Sequence, residues 1–213
     1  MKTDELITLL ARQPDALPRR NPDRDLWLAL AVGLVAAFAL MALALAPRPD
    51  LAAAIAEPLF WQKAGALAVL AALAAWATQR AGRPGRALAP LERARWAVPA
   101  WLLAATAVTL AVTPAGERAA LFLSPTILVC LSMIPVLSLV PALALTWALR
   151  RAAPTDPPRA AHAIGWAAGA IGGLAYAFHC QADQPAYVLV WYGLAIAITV
   201  VLTQAIATRW LRW

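Results

Sequence analysis

The length, composition and charge of this chain exclude an ordinary soluble protein. Of its 213 residues, 62% are hydrophobic and 14% are charged, and its mean hydropathy is +0.67, whereas a soluble domain has roughly 45–50% apolar and about 25% charged residues. The net charge of +7 does not indicate nucleic-acid binding, because the cations lie in short loops beside apolar segments, where they set membrane topology.

Residues 1–25 are the segment long enough to build structure outside the bilayer. An amphipathic helix is predicted over residues 3–12, with Thr3 as candidate N-cap and with Asp4 and Glu5 in the first turn, where carboxylates favour the helix dipole. The apolar residues that line one side of it at helical spacing are Leu6, Ile7, Leu9 and Leu10. Because an isolated helix of about ten residues is marginal in water, we expect it to dock on membrane, on the protein's own loops or on another protein.

Six apolar stretches follow, and each is close to the roughly 20 residues that a membrane-spanning helix needs. They cover residues 26–46, 60–78, 96–113, 127–149, 162–178 and 186–208. None alternates in polarity as a barrel strand does, and a backbone in lipid must satisfy its own hydrogen bonds. The predicted fold is therefore all-α: a polytopic domain over residues 26–208 with six transmembrane helices, followed by a short tail, 209–213.

The loops between these stretches predict the orientation. Fifteen of the 18 Lys and Arg residues lie on the side of the two termini, and the opposite side holds Arg48, Lys63 and Arg118. Since positive loops stay in the cytoplasm, both termini are predicted to be cytoplasmic, with the 209–213 tail. We expect Lys63 to reach the outer interface along its flexible stem, with Glu57 as its partner.

Two features predict how the helices pack. Gly165, Gly169 and residues 172–173 place small side chains along the fifth stretch, which permits close helix approach within the bundle or in a homodimer. Pro135 and Pro141 interrupt the fourth stretch and predict a kink there.

The only cysteines are Cys130, about one turn into the fourth stretch, and Cys180, just after the fifth. Both are predicted near the outer interface, on the side where disulfides persist. The residues leave several states open: a disulfide, if the fourth and fifth helices are neighbours, or one inert buried thiol and one exposed thiol. His179 is a candidate auxiliary metal ligand or a solvated loop residue. There is no second cysteine pair and no zinc motif, so we expect neither an enzyme nor a cofactor.

A family resemblance rests on three parts of the sequence. The chain opens with Met-Lys-Thr-Asp-Glu-Leu-Ile, and His179 and Cys180 are followed by Pro185 and by Val-Trp-Tyr-Gly at 190–193. With six predicted spans and Cys130 in the fourth, the chain resembles the negative-regulator-of-sigma-factor (NrsF) family of bacterial inner-membrane proteins. The resemblance covers essentially the whole length.

The resemblance implies an anti-sigma factor that holds an extracytoplasmic-function sigma factor at the cytoplasmic face and releases it under metal or oxidative stress. It assigns the sensing role to Cys130 and Cys180, which match the family's two periplasmic-side cysteines and would bind metal transiently. The bilayer is the second partner, and no direct contact with nucleic acid is expected.

Our mechanistic hypothesis places the sigma factor on the apolar face of the N-terminal helix, with Asp4 and Glu5 meeting its basic surface. The alternative is a structural or assembly membrane protein in which Cys130 and Cys180 form a static disulfide on the periplasmic side.

Overall fold

The computed structural model describes residues 3–11, 21–83, 85 and 88–212, and within this part of the chain the secondary structure is helical. The helices are α1 (Thr3–Ala11), α2 (Pro22–Ala44), α3 (Leu51–Ala54), α4 (Pro58–Ala81), α5 (Ala89–Ala94), α6 (Ala97–Val112), α7 (Ile127–Leu137), α8 (Leu139–Ala152), α9 (Pro157–Ala177), α10 (Pro185–Tyr187) and α11 (Gly193–Leu211), with a 3₁₀ turn at Arg118–Leu121 and a π turn at Val188–Tyr192. The all-α prediction is confirmed.

All six predicted stretches are helical, and five of the described helical segments are long and apolar enough to cross a membrane. These are Pro22–Ala44, Pro58–Ala81, Ala89–Val112, Ile127–Ala152 and Pro185–Leu211. The stretch 162–178 lies in α9, which is not among these five. Large apolar side chains such as Leu43 and Leu128, 88% and 79% exposed, cover the outside of the bundle, as expected for a surface that faces lipid rather than water.

Helix α9 is the centre of the bundle. It packs against α2, α4, α7, α8 and α11, and 15 of its 21 residues are buried. Its small residues permit this: a Cβ on Gly165 would lie 2.8 Å from Val200 Cα, and one on Gly169 would lie 3.1 Å from Ile196 Cγ2. The predicted close approach is confirmed within the chain.

The predicted interruption of the fourth stretch is confirmed at Ser138, where α7 ends and α8 begins. Pro141 has no N–H to continue the helical hydrogen bonds, and the Ser138 hydroxyl donates to the Ile134 carbonyl at 2.7 Å. Helix α9 crosses at this point through Gly172, where a Cβ would lie 2.2 Å from Ser138 Oγ. Glycine is therefore required at the crossing.

The helices run back and forth between two ends of the bundle. The thiol end comprises the links at residues 45–57, 113–126 and 178–184, and the terminal end comprises the starts of α2, α6 and α9 and the ends of α4, α8 and α11. The link between α4 and α6 contains the short helix α5. Helix α1 precedes the terminal end, and residues 12–20 between α1 and α2 are outside the described part of the chain.

Candidate functional site

Both cysteines lie in one buried cluster at the thiol end. Cys130 is in the first turn of α7, where its N–H donates to the Thr126 carbonyl at 2.8 Å, and Cys180 follows α9, with its N–H donating to the Tyr176 carbonyl at 3.0 Å. Their exposed fractions are 0% and 1%, and both are free thiols. The alternative of one exposed loop thiol is wrong, because Cys180 turns inward where the chain leaves α9.

Three tyrosines surround the thiols. The ring of Tyr192 lies 5.7 Å from that of Tyr176 and 6.3 Å from that of Tyr187, between centroids. Thr126 connects this group to the sulfur, since its Oγ1 lies 3.3 Å from the Tyr187 hydroxyl and 4.0 Å from Cys180 Sγ. The thiols are therefore held in a buried environment that is made largely of aromatic rings.

Two of the tyrosine hydroxyls are buried without a regular hydrogen bond to any described residue; they belong to Tyr176 and Tyr192. A buried hydroxyl without a partner carries a desolvation cost of about 1–3 kcal/mol. The cluster around Cys180 thus contains polar groups whose hydrogen-bonding capacity is not fully used by the described residues.

A buried group of charges adjoins the cluster. Lys63 Nζ, on α4, lies 2.5 Å from Asp183 Oδ1, and Arg48 Nη1 lies 2.8 Å from Asp183 Oδ2. Lys63 and Arg48 are only 1% and 6% exposed. The prediction that Lys63 extends to the interface and pairs with Glu57 is wrong, because Asp183, 120 positions away in the chain, neutralises it inside the protein.

The same two cations hold the backbone of the cysteine itself. The Cys180 carbonyl accepts from Lys63 Nζ at 2.7 Å and from Arg48 Nη1 at 3.3 Å. Nearby, the Arg48 N–H donates to the Phe178 carbonyl at 3.0 Å, and His179 Nδ1 donates to the Ala46 carbonyl at 2.8 Å. Segment 178–183, which we call the thiol segment, is thereby attached to α4 and to the link after α2.

Asp50 completes the charge group at its solvent side. It receives both Nε and Nη2 of Arg48, each at 2.8 Å, and Gln181 Nε2 at 3.3 Å. This fork of donors holds the pKa of the Asp50 carboxyl well below its usual range, and the two carboxylates raise the pKa of Arg48. Arg48 is therefore a permanent cation at neutral pH, held between the side chains of Asp50 and Asp183.

The predicted ligand His179 lies beside the thiol segment, and its ring packs on Tyr176 with 5.6 Å between centroids. Because Nδ1 donates to Ala46, Nε2 is the nitrogen that carries the lone pair. Among the described residues, no group of three or more His, Cys, Asp or Glu side chains is placed to hold a metal ion.

A pocket of about 400 Å³ opens at the thiol end beside the cluster. Its lining includes Glu57, Ser124, Gln181, Asp183 and Tyr187. Tyr187 belongs both to this lining and to the cluster around the thiols. The pocket therefore lies next to the thiol cluster, with Tyr187 common to both.

The terminal end carries polar contacts between α2 and α4 and cation–π contacts within single helices. Asp23, at the start of α2, accepts from Gln79 Nε2 of α4 at 3.2 Å and pairs with Arg83. Guanidinium groups stack on indoles at the ends of α4 and α8, with Arg80 5.0 Å from the Trp76 ring and Arg151 3.4 Å from the Trp147 ring. Arginine and tryptophan in this arrangement are typical of a membrane interface.

The predicted docking helix is present as α1, whose first turn holds Asp4 and Glu5. Three of its apolar side chains are exposed: Leu6 by 42%, Ile7 by 59% and Leu9 by 56%. The side chain of Leu10 lies outside the described part of the structure. The exposed residues form an apolar face that the described part of the chain leaves largely uncovered.

Asp183, Lys63, Arg48 and the tyrosines were not predicted as site residues. One signal was available: Lys63 is an ionisable residue in a spanning stretch, a class that is normally paired inside the protein. Asp183 lies three residues after Cys180 on the same arginine-poor side. The tyrosines carried no comparable signal.

Comparison with known proteins gives full-length matches. The profile of the NrsF family, described as negative regulator of sigma F, matches residues 10–213. A protein of Azospira oryzae named probable anti-sigma-F factor NrsF is 32% identical over 222 residues, and one of Caulobacter vibrioides named anti-sigma-F factor NrsF is 36% identical over 226 residues; each alignment covers 100% of both chains. No solved structure matches the chain.

Proposed function

Because the chain belongs to the NrsF family of negative regulators of sigma F, we propose that it is a membrane-bound anti-sigma factor that sequesters a sigma factor of the extracytoplasmic-function type. The partner is a sigma F, as the names of both relatives state for them. Release follows when Cys130 and Cys180 meet metal or oxidant. The supporting observation is that both thiols lie in one buried cluster at the arginine-poor end.

The proposed topology has six spans in the bacterial inner membrane, with both termini in the cytoplasm. The distribution of Lys and Arg supports it, as do the five long apolar helices. Helix α9 is the sixth span, and its 21 residues would extend about 30 Å at ~1.5 Å per residue. The thiol end then faces the periplasm, where no cytosolic reductant keeps thiols reduced.

Two kinds of signal fit the thiol pair. A soft metal cation would bind both thiolates, with displacement of two protons. A peroxide would accept two electrons and two protons from the thiols and become water as the S–S bond forms. Either event must draw the two sulfurs together, and the disulfide needs Cα atoms about 4.4–6.8 Å apart. The pocket beside Tyr187 is the proposed route of entry.

The proposed docking surface is the apolar face of α1, with Asp4 and Glu5 at its edge. An exposed row of Leu and Ile on a helix this short is unfavourable in water unless a partner covers it. Asp4 and Glu5 favour a basic protein groove over an anionic lipid surface, because like charges repel.

The test is affinity purification of the tagged protein from its native membrane in mild, reducing detergent, with bound proteins identified by mass spectrometry. We expect a sigma factor that is lost when residues 1–11 are deleted or when Ile7→Asp is introduced. Asp156→Asn, an exposed change at the terminal end, is the control and should retain the partner. Recovery of no sigma factor with the intact chain would reject the proposal.

The cysteine role has its own test. Cys130→Ser and Cys180→Ser should fold and bind the sigma factor, yet a sigma-dependent reporter should no longer respond to metal or peroxide. An unchanged response in the double variant would reject the sensing role. A disulfide in unstressed membranes that does not change with peroxide would favour the structural alternative.

A further inference from the structure

We propose that Lys63, with Arg48, is a positioning residue for the sensing thiol: it fixes the Cys180 backbone and joins the thiol segment to α2 and α4. This inference rests on the proposed sensing function and names the residues that connect the thiols to the rest of the bundle.

The first observation is the use of every ammonium hydrogen on Lys63. Its Nζ contacts Asp183 Oδ1 at 2.5 Å, the Cys180 carbonyl at 2.7 Å and the Ala182 carbonyl at 3.5 Å. Burying an isolated charge inside a protein is costly. Replacing a buried ion pair by well-packed apolar residues often leaves the stability of the protein unchanged or raises it. Packing alone does not explain a lysine here; its three contacts all fall on the thiol segment.

The second observation is that the Cys180 carbonyl receives two cationic donors from two different elements. Lys63 belongs to α4, and Arg48 belongs to the link after α2. Hydrogen bonds from charged donors are about twice as strong as neutral ones. Any movement of Cys180 Sγ that turns its backbone must therefore break two strong bonds, one to α4 and one to the link after α2.

The third observation lies at the opposite end of the same two helices. Asp23, in the first turn of α2, accepts from Gln79 of α4 and pairs with Arg83. Helices α2 and α4 are thus joined by polar contacts at both ends. Helix α2 is the next helix after α1 in the chain, so we propose that a change at Cys180 reaches the docking helix by way of α2.

A signal can switch the protein only if it interacts differently with two conformations. The contacts described above define these two conformations. In the resting state Lys63 and Arg48 hold the Cys180 carbonyl, with the sulfur beside Thr126. When metal or a disulfide draws the sulfur toward Cys130, the carbonyl leaves its two donors. Lys63 and Arg48 then keep their remaining contacts, which include Asp183 for both and Asp50 for Arg48. The resting state retains the sigma factor, and the displaced state does not.

The test uses full-length protein in native membranes and three variants. Lys63→Met removes the ammonium but leaves Asp183 paired with Arg48; Arg48→Gln weakens the second donor, so the proposal does not depend on one variant folding. Arg118→Met is the matched control, since Arg118 is the third cation of the predicted outer side and is exposed, with its Nε donating to the nearby Thr113 carbonyl.

The first measurement is the rate at which N-ethylmaleimide labels Cys180, followed by peptide mass spectrometry without added metal or oxidant. The loss of one charged hydrogen bond should raise this rate about tenfold or more in Lys63→Met and Arg48→Gln, with Arg118→Met unchanged. The second measurement is the basal activity of the sigma-dependent reporter, which should rise in the same two variants.

The two measurements separate the proposals. Wild-type labelling in a folded Lys63→Met and a folded Arg48→Gln would overturn the positioning role. Faster labelling of Cys180 with no change in the reporter would keep the positioning of the thiol but overturn its connection to sigma-factor release. If the intact chain binds no sigma factor, the proposed function fails, and the labelling rates still decide whether Lys63 and Arg48 position Cys180.

Discussion

The two ends of the bundle handle charge in opposite ways. At the thiol end Lys63 and Arg48 are buried, with exposed fractions of 1% and 6%. Both cations pair with the carboxylate of Asp183, and both donate to the backbone carbonyl of Cys180. At the terminal end most cations are solvent-facing or stacked on tryptophan, as in Arg151 on Trp147, and the principal ion pair, Asp23 with Arg83, is about one-third exposed.

The difference shows that similar residue types serve two purposes. Cations at the terminal end suit a membrane interface, where each contributes little and can be exchanged. Cations at the thiol end are few, and two of them, Lys63 and Arg48, are enclosed and fix the position of the Cys180 backbone, whereas Arg118 is exposed. The thiol end, which we also call the closed end, is suited to holding one defined conformation. The terminal end, or open end, which α1 precedes in the chain, is suited to presenting a surface.

The largest expected effect comes from removing the shared carboxylate. Asp183→Ala leaves Lys63 and Arg48 buried without their common anion, and breaking a buried pair in this way costs about 3–5 kcal/mol. Thermal unfolding in detergent measures the loss. Asp23→Ala, the matched change at the open end, should cost only about 0.2–1 kcal/mol; equal losses for the two variants would remove the contrast between the ends.

The centre that separates the two ends is the next test. Gly172→Ala places a methyl group 2.2 Å from Ser138 Oγ and 2.7 Å from the Ile134 carbonyl, and such overpacking costs about 1–3 kcal/mol. Gly65→Ala is the control, because its Cβ would meet no atom within 4 Å, and it should leave the unfolding temperature unchanged or slightly higher. Similar unfolding temperatures for both variants would contradict the close crossing of α9 and α7.

The tyrosines of the closed end should differ from one another. Tyr187→Phe removes a hydroxyl 3.3 Å from Thr126 Oγ1 and should cost about 0.5–1.5 kcal/mol. Tyr192→Phe removes a buried hydroxyl that has no regular partner among the described residues, so stability should be unchanged or increased. Unfolding of the two variants under identical conditions compares them, and a larger loss for Tyr192→Phe would contradict the assignment of its hydroxyl as unsatisfied.

The smallest effect concerns pH at the solvent side of the closed end. Arg48 lowers the folded-state pKa of Asp50 below its unfolded value of about 3.9. The contribution of Asp50 to stability is therefore complete at neutral pH and is lost as the pH falls through about 4 and below. Asp50→Asn should show a smaller loss of unfolding temperature between neutral and strongly acidic pH than the unaltered protein; Glu117→Gln, at an exposed position of the same end, should retain the full loss.

Much of this architecture follows from local sequence. The apolar stretches, the glycines of α9 and the prolines near Ser138 each express a constraint that acts within one helix or one crossing, so the pattern of residues was enough to predict them. Cys130 and Cys180 were identifiable because they are the only cysteines and both fall in the arginine-poor half of the predicted topology.

The charge group was not predictable in the same way. Lys63 and Asp183 meet only after α4 and α9 have packed, and Glu57 was the nearer anion in the sequence. The inward turn of Cys180 depends on the backbone leaving α9, where Arg48, from a third part of the chain, supplies donors. Contacts of this kind are determined by tertiary packing, and no periodic pattern in the local sequence predicts them.

The π turn at Val188–Tyr192 has a consequence for how the last span tolerates changes in length. A π turn holds one more residue than the α-helical turn it replaces, and it lies between the part of the span that faces the thiols and the part where Ile196 and Val200 meet the glycines of α9. Deleting one residue from 188–192 would convert the π turn into a regular helical turn and leave the faces on either side aligned. Deleting a residue from the regular helix after it would instead rotate everything beyond by about 100°, so this short stretch is where the last span can lose a residue and still face α9 with its tyrosines and its glycine-facing residues together.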